Sequence, residues 1–419
     1  MKILWYIGSK SKLQDTSYGG GGWISSLTEE LRKNKEITLA KAFFYDYDDA
    51  PYYDNGIWEY PMYKKKKSKL KKIVHYWIKN NQNETKENIG LMQKVINDFK
   101  PDIIQIFGLE SPFCPILNYT KIPTIIYLQG IVNPISNAFY PNGINKYSFL
   151  FSRFSKREWI YRNGISYLHE NMKLRAKIEI ETLKKSTYLI GRTKFDHEIS
   201  DFFAPHANYY HLNEMMKNVF YSSSIWEKTS KEKYIIYTTI SNVTYKGLDT
   251  ILKTAQILID NDKTDFEWHI AGITPQSELV LFFEKILKIK SGSVNIIYDG
   301  IVPADKLVEK LRNADVFVHT SYIDNSPNSV CEAQLVGLPV IACYVGGVSD
   351  FIITGETGEL IPANAPYELA CILKKDMEKP YLYQYSEKAR KIALERHDKK
   401  RIVDTLLNIY NSILTKCNP

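Results

Sequence analysis

The chain has 419 residues and a formal net charge of +8, with 44% hydrophobic and 24% charged residues. This length predicts about two or three domains, and the composition excludes a largely disordered chain. No apolar run reaches the roughly 18 residues of a membrane span, and the first apolar run is too short for a signal peptide. The five cysteines lack C-x-x-C spacing, which favours reduced thiols in a cytoplasm.

The first half of the chain alternates between strand and helix patterns. A strand, KILWYIG, precedes the glycine-rich loop GGGGW and a helix, ISSLTEELRKN. Further strand patterns follow in DIIQIFG, TIIYLQG and TYLIGRT. Thr193 and Asp196 then have the spacing of a helix N-terminal capping box. This alternation predicts a doubly wound parallel sheet.

A basic segment interrupts this half, with seven lysines between Lys64 and Lys72 and the apolar, aromatic run IVHYWI directly after them. Residues 1–215 hold 31 Lys/Arg against 22 Asp/Glu, whereas residues 216–419 hold 24 against 25. The segment is typical either of a helix for an anionic membrane surface or of a solvated lysine face. Because no nucleic-acid module accompanies it, we expect no nucleic-acid partner.

The second half repeats the alternation after a linker-like stretch, YSSSIWEKTSKEK. Strands YIIYTTIS, FEWHIAGI and VNIIYDGIV are separated by helices GLDTILKTAQILI and ELVLFFEKILKI, and helix ADKLVEKLRNA follows. We therefore predict an α/β chain with two domains, residues 1–215 and 216–400. The helical tail, about residues 401–419, is predicted to cross back to the first domain.

The stretch YIDNSPNSVCEAQLVGLPVIACYVGG (322–347) carries two carboxylates, Asp324 and Glu332. Its pattern predicts a strand, a polar loop, a short helix ended by Gly337, and another strand. Ser329 is expected to cap this helix, with Glu332 at capping-box spacing. Ligands of open α/β sheets bind beyond the carboxyl ends of the strands, where this loop must lie.

These residues resemble the retaining glycosyltransferases of family 4. The resemblance rests on the two acids at E-x7-E spacing with the following EA, G-x-PVIA and GG, on GETGELI and LRNADVFVHTS, and on Lys246-Gly247. It implies the GT-B fold, in which two Rossmann-like domains face each other across a cleft. It also implies a hexosyltransferase that moves a sugar from a nucleotide-diphosphate sugar to a glycan or polyprenyl-linked acceptor, as in surface polysaccharide synthesis.

The resemblance implies a role for each matching position. Glu332 would bind the ribose hydroxyls, Asp324 would face the donor sugar, and Lys246 would neutralise the leaving diphosphate. The backbone amides of Asn328, Ser329 and Val330 would hold the diphosphate. From the first domain, the glycine-rich loop would approach the donor at Gly21 and Gly22.

Three positions depart from the family pattern. Asp324 replaces the usual glutamate, Ser241 stands where an arginine is usual, and Gln129-Gly130 replaces a His-Gly pair. Arg192, after a first-domain strand, is a candidate to supply the missing charge. A lipid-linked acceptor would place the enzyme at the inner face of the membrane.

We expect no metal and no cofactor beyond the donor. The eight histidines form no H-x-x-x-H pair, and Asp46–Asp48, although a D-x-D sequence, lies in an acidic, surface-like run. Two other functions stay open: a nucleotide-sugar epimerase of the same fold, and a non-catalytic partner in a polysaccharide-assembly complex.

Overall fold

The structure is a computed structural model that describes residues 1–8, 22–64, 82–152, 156–161, 164–262 and 265–417. Within these ranges the strands form two sheets, one in each half of the chain. No helix of the described ranges combines the length and the apolar character needed to cross a membrane.

The first sheet has eight strands in the order β3-β4-β2-β1-β5-β6-β7-β8. All neighbours pair in parallel except β3 and β4, which are antiparallel. The strands are β1 (Lys2–Tyr6), β2 (Thr38–Tyr45), β3 (Tyr52–Asp54), β4 (Ile57–Tyr63), β5 (Ile103–Phe107), β6 (Thr124–Tyr127), β7 (Tyr188–Gly191) and β8 (Asn208–His211).

Helices connect β1 to β2, β4 to β5, β6 to β7 and β7 to β8, as in a doubly wound fold. They are α1 (Gly22–Leu31), α2 (Gln82–Phe99), α3 (Val132–Asn137), α4 (Lys146–Ser152), α5 (Lys156–Tyr161), α6 (Ile165–Lys185) and α7 (Lys194–Phe203). Successive side chains of a strand point to opposite faces of its sheet. Accordingly, Trp5 packs in a core with α1, whereas Tyr6 packs in a second core with α2.

The second sheet has six strands in the order β11-β10-β9-β12-β13-β14, all parallel. They are β9 (Tyr234–Thr239), β10 (Phe266–Ala271), β11 (Ile296–Gly300), β12 (Val316–His319), β13 (Val340–Cys343) and β14 (Glu359–Ile361). The remaining helices are α8 (Asn218–Ser222), α9 (Leu248–Asp262), α10 (Glu278–Leu287), α11 (Ala304–Arg312), α12 (Asn328–Val336), α13 (Pro366–Glu378), α14 (Ser386–Arg396) and α15 (Lys399–Cys417).

Helix α15 leaves the second domain and packs on the first sheet. Its Ile402, Leu406 and Tyr410 are buried in the same core as Trp5. The Tyr410 hydroxyl accepts a hydrogen bond from Trp5 Nε1 at 3.0 Å and donates one to Gln105 Oε1 at 2.6 Å. The predicted architecture, two parallel-sheet α/β domains with a returning C-terminal helix, is therefore confirmed.

Two local predictions near the motif had different outcomes. Thr193 does cap α7, because its hydroxyl accepts a hydrogen bond from the Asp196 amide at 3.2 Å. The predicted Ser329 cap is wrong: α12 begins at Asn328, its N-cap residue is Pro327, and it has no side-chain cap. Ser329 is the second residue of the helix and therefore lies inside its first turn.

Candidate active site

Asp324 lies in the loop between β12 and α12, beyond the carboxyl end of the strand. Its Oδ2 accepts a hydrogen bond from Lys246 Nζ at 2.6 Å and lies 3.1 Å from His319 Nε2. Ser321 Oγ lies 3.0 Å from the same histidine nitrogen. The structure therefore brings Lys246 and Asp324 together and adds His319, which the sequence analysis did not single out.

Each partner of this pair keeps the other charged. Burial raises the pKa of the Asp324 carboxyl, but the Lys246 ammonium and the His319 ring outweigh burial and hold that pKa well below its usual range. Burial lowers the pKa of Lys246, but Asp324 and Tyr245 outweigh it and raise that pKa above its usual value. The pair therefore stays ionised around neutral pH, and any anionic ligand of Lys246 has to compete with Asp324.

The backbone around Lys246 depends on a glycine. Lys246 ends the short 3-10 helix Thr244–Lys246, and Gly247, at φ +76°, separates it from α9. A Cβ atom at Gly247 would collide with the Thr320 carbonyl oxygen, and the Thr320 hydroxyl donates to the Lys246 carbonyl at 3.0 Å. Lys246 thus precedes α9 and is held against the end of β12.

A second glycine pair holds the Asp324 loop from the other side. The Gly347 amide donates to the Asp324 carbonyl oxygen at 3.0 Å. Gly346 has a φ of +51°, and a Cβ atom there would collide with that same oxygen. The two glycines after β13 therefore fix the main chain that presents the Asp324 carboxylate.

Helix α12 begins directly after this loop and carries Glu332, which is half-buried, in its second turn. The Val330 amide donates to the Pro327 carbonyl at 3.0 Å, so it is already satisfied. Within the described ranges, the amides of Asn328 and Ser329 have no acceptor, and the buried Asn328 Oδ1 has no partner. The first turn therefore offers two backbone donors, rather than the three that were expected, where a helix N-terminus favours an anion.

The predicted first-domain residues are only partly described. Gly22 begins α1, whereas Gly21 lies outside the described residues. Arg192, at the end of β7, is only 4% exposed; its guanidinium donates to the Gln129 carbonyl oxygen and lies 5.5 Å from the centre of the Trp23 ring. The structure brings Arg192 and Gln129 together, but in this conformation Arg192 is buried.

Contacts across the domain junction fix the position of the Asp324 loop. Thr193 Oγ1 donates to Asn325 Oδ1 at 2.6 Å, and Asn325 Nδ2 donates to Asp196 Oδ2 at 3.0 Å. The Lys194 amide donates to Asp350 Oδ2 at 2.5 Å. The start of α7 in the first domain is therefore bonded to the motif of the second.

The sequence analysis also singled out the basic segment and the D-x-D sequence. Residues 65–72 of the basic segment lie outside the described residues; Lys64, which is described, has its ammonium 4.8 Å from the Phe44 ring centre. Among the described side chains, Asp46–Asp48 belong to no group of three potential metal ligands. Such a group is formed elsewhere, by Glu214, Cys331 and His397.

Solved structures with a similar fold cover almost the whole chain. Sucrose-phosphate synthase from Thermosynechococcus elongatus superposes with a TM-score of 0.73 at 12% identity, covering 99% of this chain and 100% of the other. HepE from Anabaena, in complex with UDP-glucose, has a TM-score of 0.63 at 13% identity, with 98% and 100% covered. The chain has the GT-B fold.

A family model matches most of the second GT-B domain. Residues 222–395, which include Lys246, Asp324 and Glu332, match the family model described as glycosyl transferases group 1. A D-inositol 3-phosphate glycosyltransferase of Arthrobacter sp. (strain FB24) is 29% identical over 136 residues. That match covers 32% of this chain, and the chain spans only 32% of the length of this relative.

Proposed function

We propose that this protein is a retaining glycosyltransferase that moves a sugar from a nucleotide-diphosphate sugar to a glycan or lipid-linked acceptor. The observation that carries the proposal is the partly buried Lys246–Asp324 pair at the carboxyl edge of the second sheet, beside the start of the helix with Glu332. The group 1 match over the same domain supports it. Because HepE binds UDP-glucose, a UDP-sugar is the first donor to test.

Breaking the bond between the anomeric carbon and the phosphate oxygen places negative charge on the diphosphate. Lys246 is a permanent cation at this site, and the amides of Asn328 and Ser329 are oriented donors. Such preorganised groups stabilise charge as it develops, without reorganising at the moment of reaction. In the proposed mechanism Lys246 therefore shifts from Asp324 towards the leaving diphosphate.

The two carboxylates divide the recognition of the donor. Glu332, on the second turn of a helix, accepts the ribose hydroxyls of the nucleotide. Asp324 receives hydroxyls of the donor sugar, and its shorter side chain keeps contact with both Lys246 and His319. His319, which is only 3% exposed, orients Asp324 and does not reach the substrate itself.

The proposed reaction uses no metal at the diphosphate, since Lys246 and the helix amides carry its charge. Retention follows from attack on the face that the diphosphate leaves, with the leaving phosphate oxygen taking the acceptor proton. Closure of the cleft excludes water and so limits hydrolysis of the donor. The acceptor binds on the first-domain side of the cleft, whereas the glycine-rich loop with Gly21 and Gly22 approaches the donor.

A thermal-shift panel of UDP, GDP, ADP and CMP sugars, repeated with Glu332→Ala, tests this proposal. One nucleotide class is expected to raise the Tm of the wild type and to lose most of this effect in the variant. The donor of that class should then be consumed only when an acceptor is present. Wild-type protein whose Tm responds to no nucleotide would contradict the proposal.

A further inference from the structure

Three side chains that the proposed reaction does not use meet at the domain junction. Glu214 precedes α8, Cys331 lies on α12, and His397 stands between α14 and α15. All three are completely buried, and one ligand atom from each lies within 4.8 Å of the others. Their separation along the chain means that only the folded protein brings them together.

We call Glu214, Cys331 and His397 the junction cluster. It contains buried polar atoms that have no hydrogen-bond partner. Within the described part of the chain, Glu214 Oε2 and His397 Nε2 are buried without a hydrogen-bond partner. A buried carboxylate oxygen and a buried imidazole nitrogen left unpaired each cost free energy. A single ligand that accepts electron pairs from both atoms would satisfy the two of them at once.

The tautomer of His397 is the one that a metal ligand needs. Its Nδ1 lies 2.9 Å from the Glu214 carbonyl oxygen, which can only accept, so Nδ1 carries the proton. The unpaired Nε2 therefore has a free lone pair. Metal-ligating histidines commonly donate their other ring N–H to a backbone carbonyl or a carboxylate in this way.

We infer that Glu214, Cys331 and His397 form a binding site for a zinc-type divalent transition-metal ion. Thiolate and imidazole ligands select such ions and exclude magnesium and calcium, which require oxygen ligands. Ligand atoms around a tetrahedral zinc lie roughly 3.3–3.8 Å apart. Cys331 Sγ already lies 3.4 Å from Glu214 Oε1, within this range, and a water molecule would fill the fourth position.

Binding converts the Cys331 thiol to a thiolate and releases its proton to solvent. A thiolate and a carboxylate together balance a divalent ion. This balance is important because the guanidinium groups of Arg192 and Arg396 act on Glu214 and Cys331 from nearby. The ion would join three parts of the chain: the connection between the domains, the helix with Glu332, and the segment that returns to the first domain.

The site is tested on untagged, full-length protein that has been stripped with a chelator and then titrated with Co²⁺ or Zn²⁺. Bound metal is measured by mass spectrometry after gel filtration, and a Co²⁺–thiolate charge-transfer band reports ligation by a cysteine. Wild type is expected to hold about one ion per chain, to show this band, and to gain thermal stability. These readouts do not depend on sugar transfer, so they can fail independently of the proposed function.

The variants Cys331→Ser and His397→Gln are expected to lose the band and to bind the ion at least about tenfold more weakly. Cys343→Ser, which alters another buried thiol, and Cys371→Ser, which alters an exposed one, should keep both. Circular dichroism checks that each variant is folded. The inference is overturned if folded wild type shows no cobalt–thiolate band, or if the band persists in Cys331→Ser.

Discussion

Replacing Lys246 with alanine removes the one side-chain cation that we place at the diphosphate. In the free enzyme its ammonium lies 2.6 Å from Asp324 Oδ2, and the two side chains are 21% and 15% exposed. Donor binding therefore exchanges one anionic partner of Lys246 for another, so the net gain in the ground state is small. We expect Lys246→Ala to weaken donor binding by less than about tenfold, or about 1.4 kcal/mol.

The transition state differs from the ground state because the diphosphate gains negative charge there. The attraction between this added charge and Lys246 is not offset by the loss of Asp324 as a partner. Removing one preorganised donor of this kind typically reduces kcat by about 10²–10³-fold. We therefore expect a fall of that order in kcat, with KM for the donor changing far less. The assay is release of the nucleoside diphosphate at varied donor concentration, together with calorimetric titration of the free nucleotide.

Lys253→Ala is the matched control. Lys253 is paired with Asp249 at 2.9 Å and is 29% exposed, on α9, two turns after Lys246. Lys253 is bonded to none of the residues that we place at the donor, so turnover of the folded variant should stay near that of wild type. Equal losses in kcat and donor affinity for Lys246→Ala, or an equal loss of kcat in the control, would refute the reasoning.

Four further outcomes are expected. Glu332→Ala should weaken free nucleotide and intact donor alike, by about 1.5–3 kcal/mol in calorimetry, whereas Asp324→Ala should depress transfer without weakening binding of the free nucleotide. Gly346→Ala should lower the Tm and reduce transfer because its Cβ collides with a carbonyl oxygen, whereas Gly355→Ala, also at positive φ but with open space around it, should cost about 1 kcal/mol or less in unfolding experiments. The depressed pKa of Asp324 means that its contribution to stability is complete above the unfolded-state pKa of about 3.9 and is lost as the pH falls below it, so Asp324→Asn should flatten the acid side of the Tm–pH curve. Changing four lysines of Lys64–Lys72 to glutamate should abolish binding to anionic liposomes at low salt without affecting nucleotide binding; wild type that ignores such liposomes would contradict the membrane role.

The strands with continuous apolar runs could be predicted, but the outer strands of the first sheet could not. β2 and β4 contain Lys41 and Glu59, which interrupt the apolar pattern that indicates a buried strand. In the structure these residues pair across the two strands, with Lys41 Nζ 2.9 Å from Glu59 Oε1 and both almost completely buried. The sequence contains both charges, but only the strand pairing shows that each has a partner.

The candidate site could likewise be predicted only in part from the sequence. The spacing of Asp324 and Glu332 and the position of Lys246-Gly247 were visible in the sequence, because each belongs to a short local motif. The bonds of Asp324 to Lys246 and His319 could not be predicted, since they depend on how two loops meet. A strand-terminal histidine five residues before the acid was the only local signal for His319.

The junction cluster was even harder to predict from the sequence. Glu214, Cys331 and His397 are separated by 66 residues or more, and no metal motif includes them. The sequence, which has no H-x-x-x-H pair, therefore predicted no zinc site. The orphaned atoms of Glu214 and His397 became visible only when the linker, α12 and the returning chain were placed together.

The most direct test of the proposed transfer is an NMR time course of a nucleotide-diphosphate sugar incubated with the purified protein and an acceptor extract. We expect the anomeric signal of the donor to be replaced by that of a product with the same anomeric configuration, with one nucleoside diphosphate released for each sugar transferred. A product of inverted configuration, or a new sugar nucleotide formed without acceptor, would contradict retaining sugar transfer.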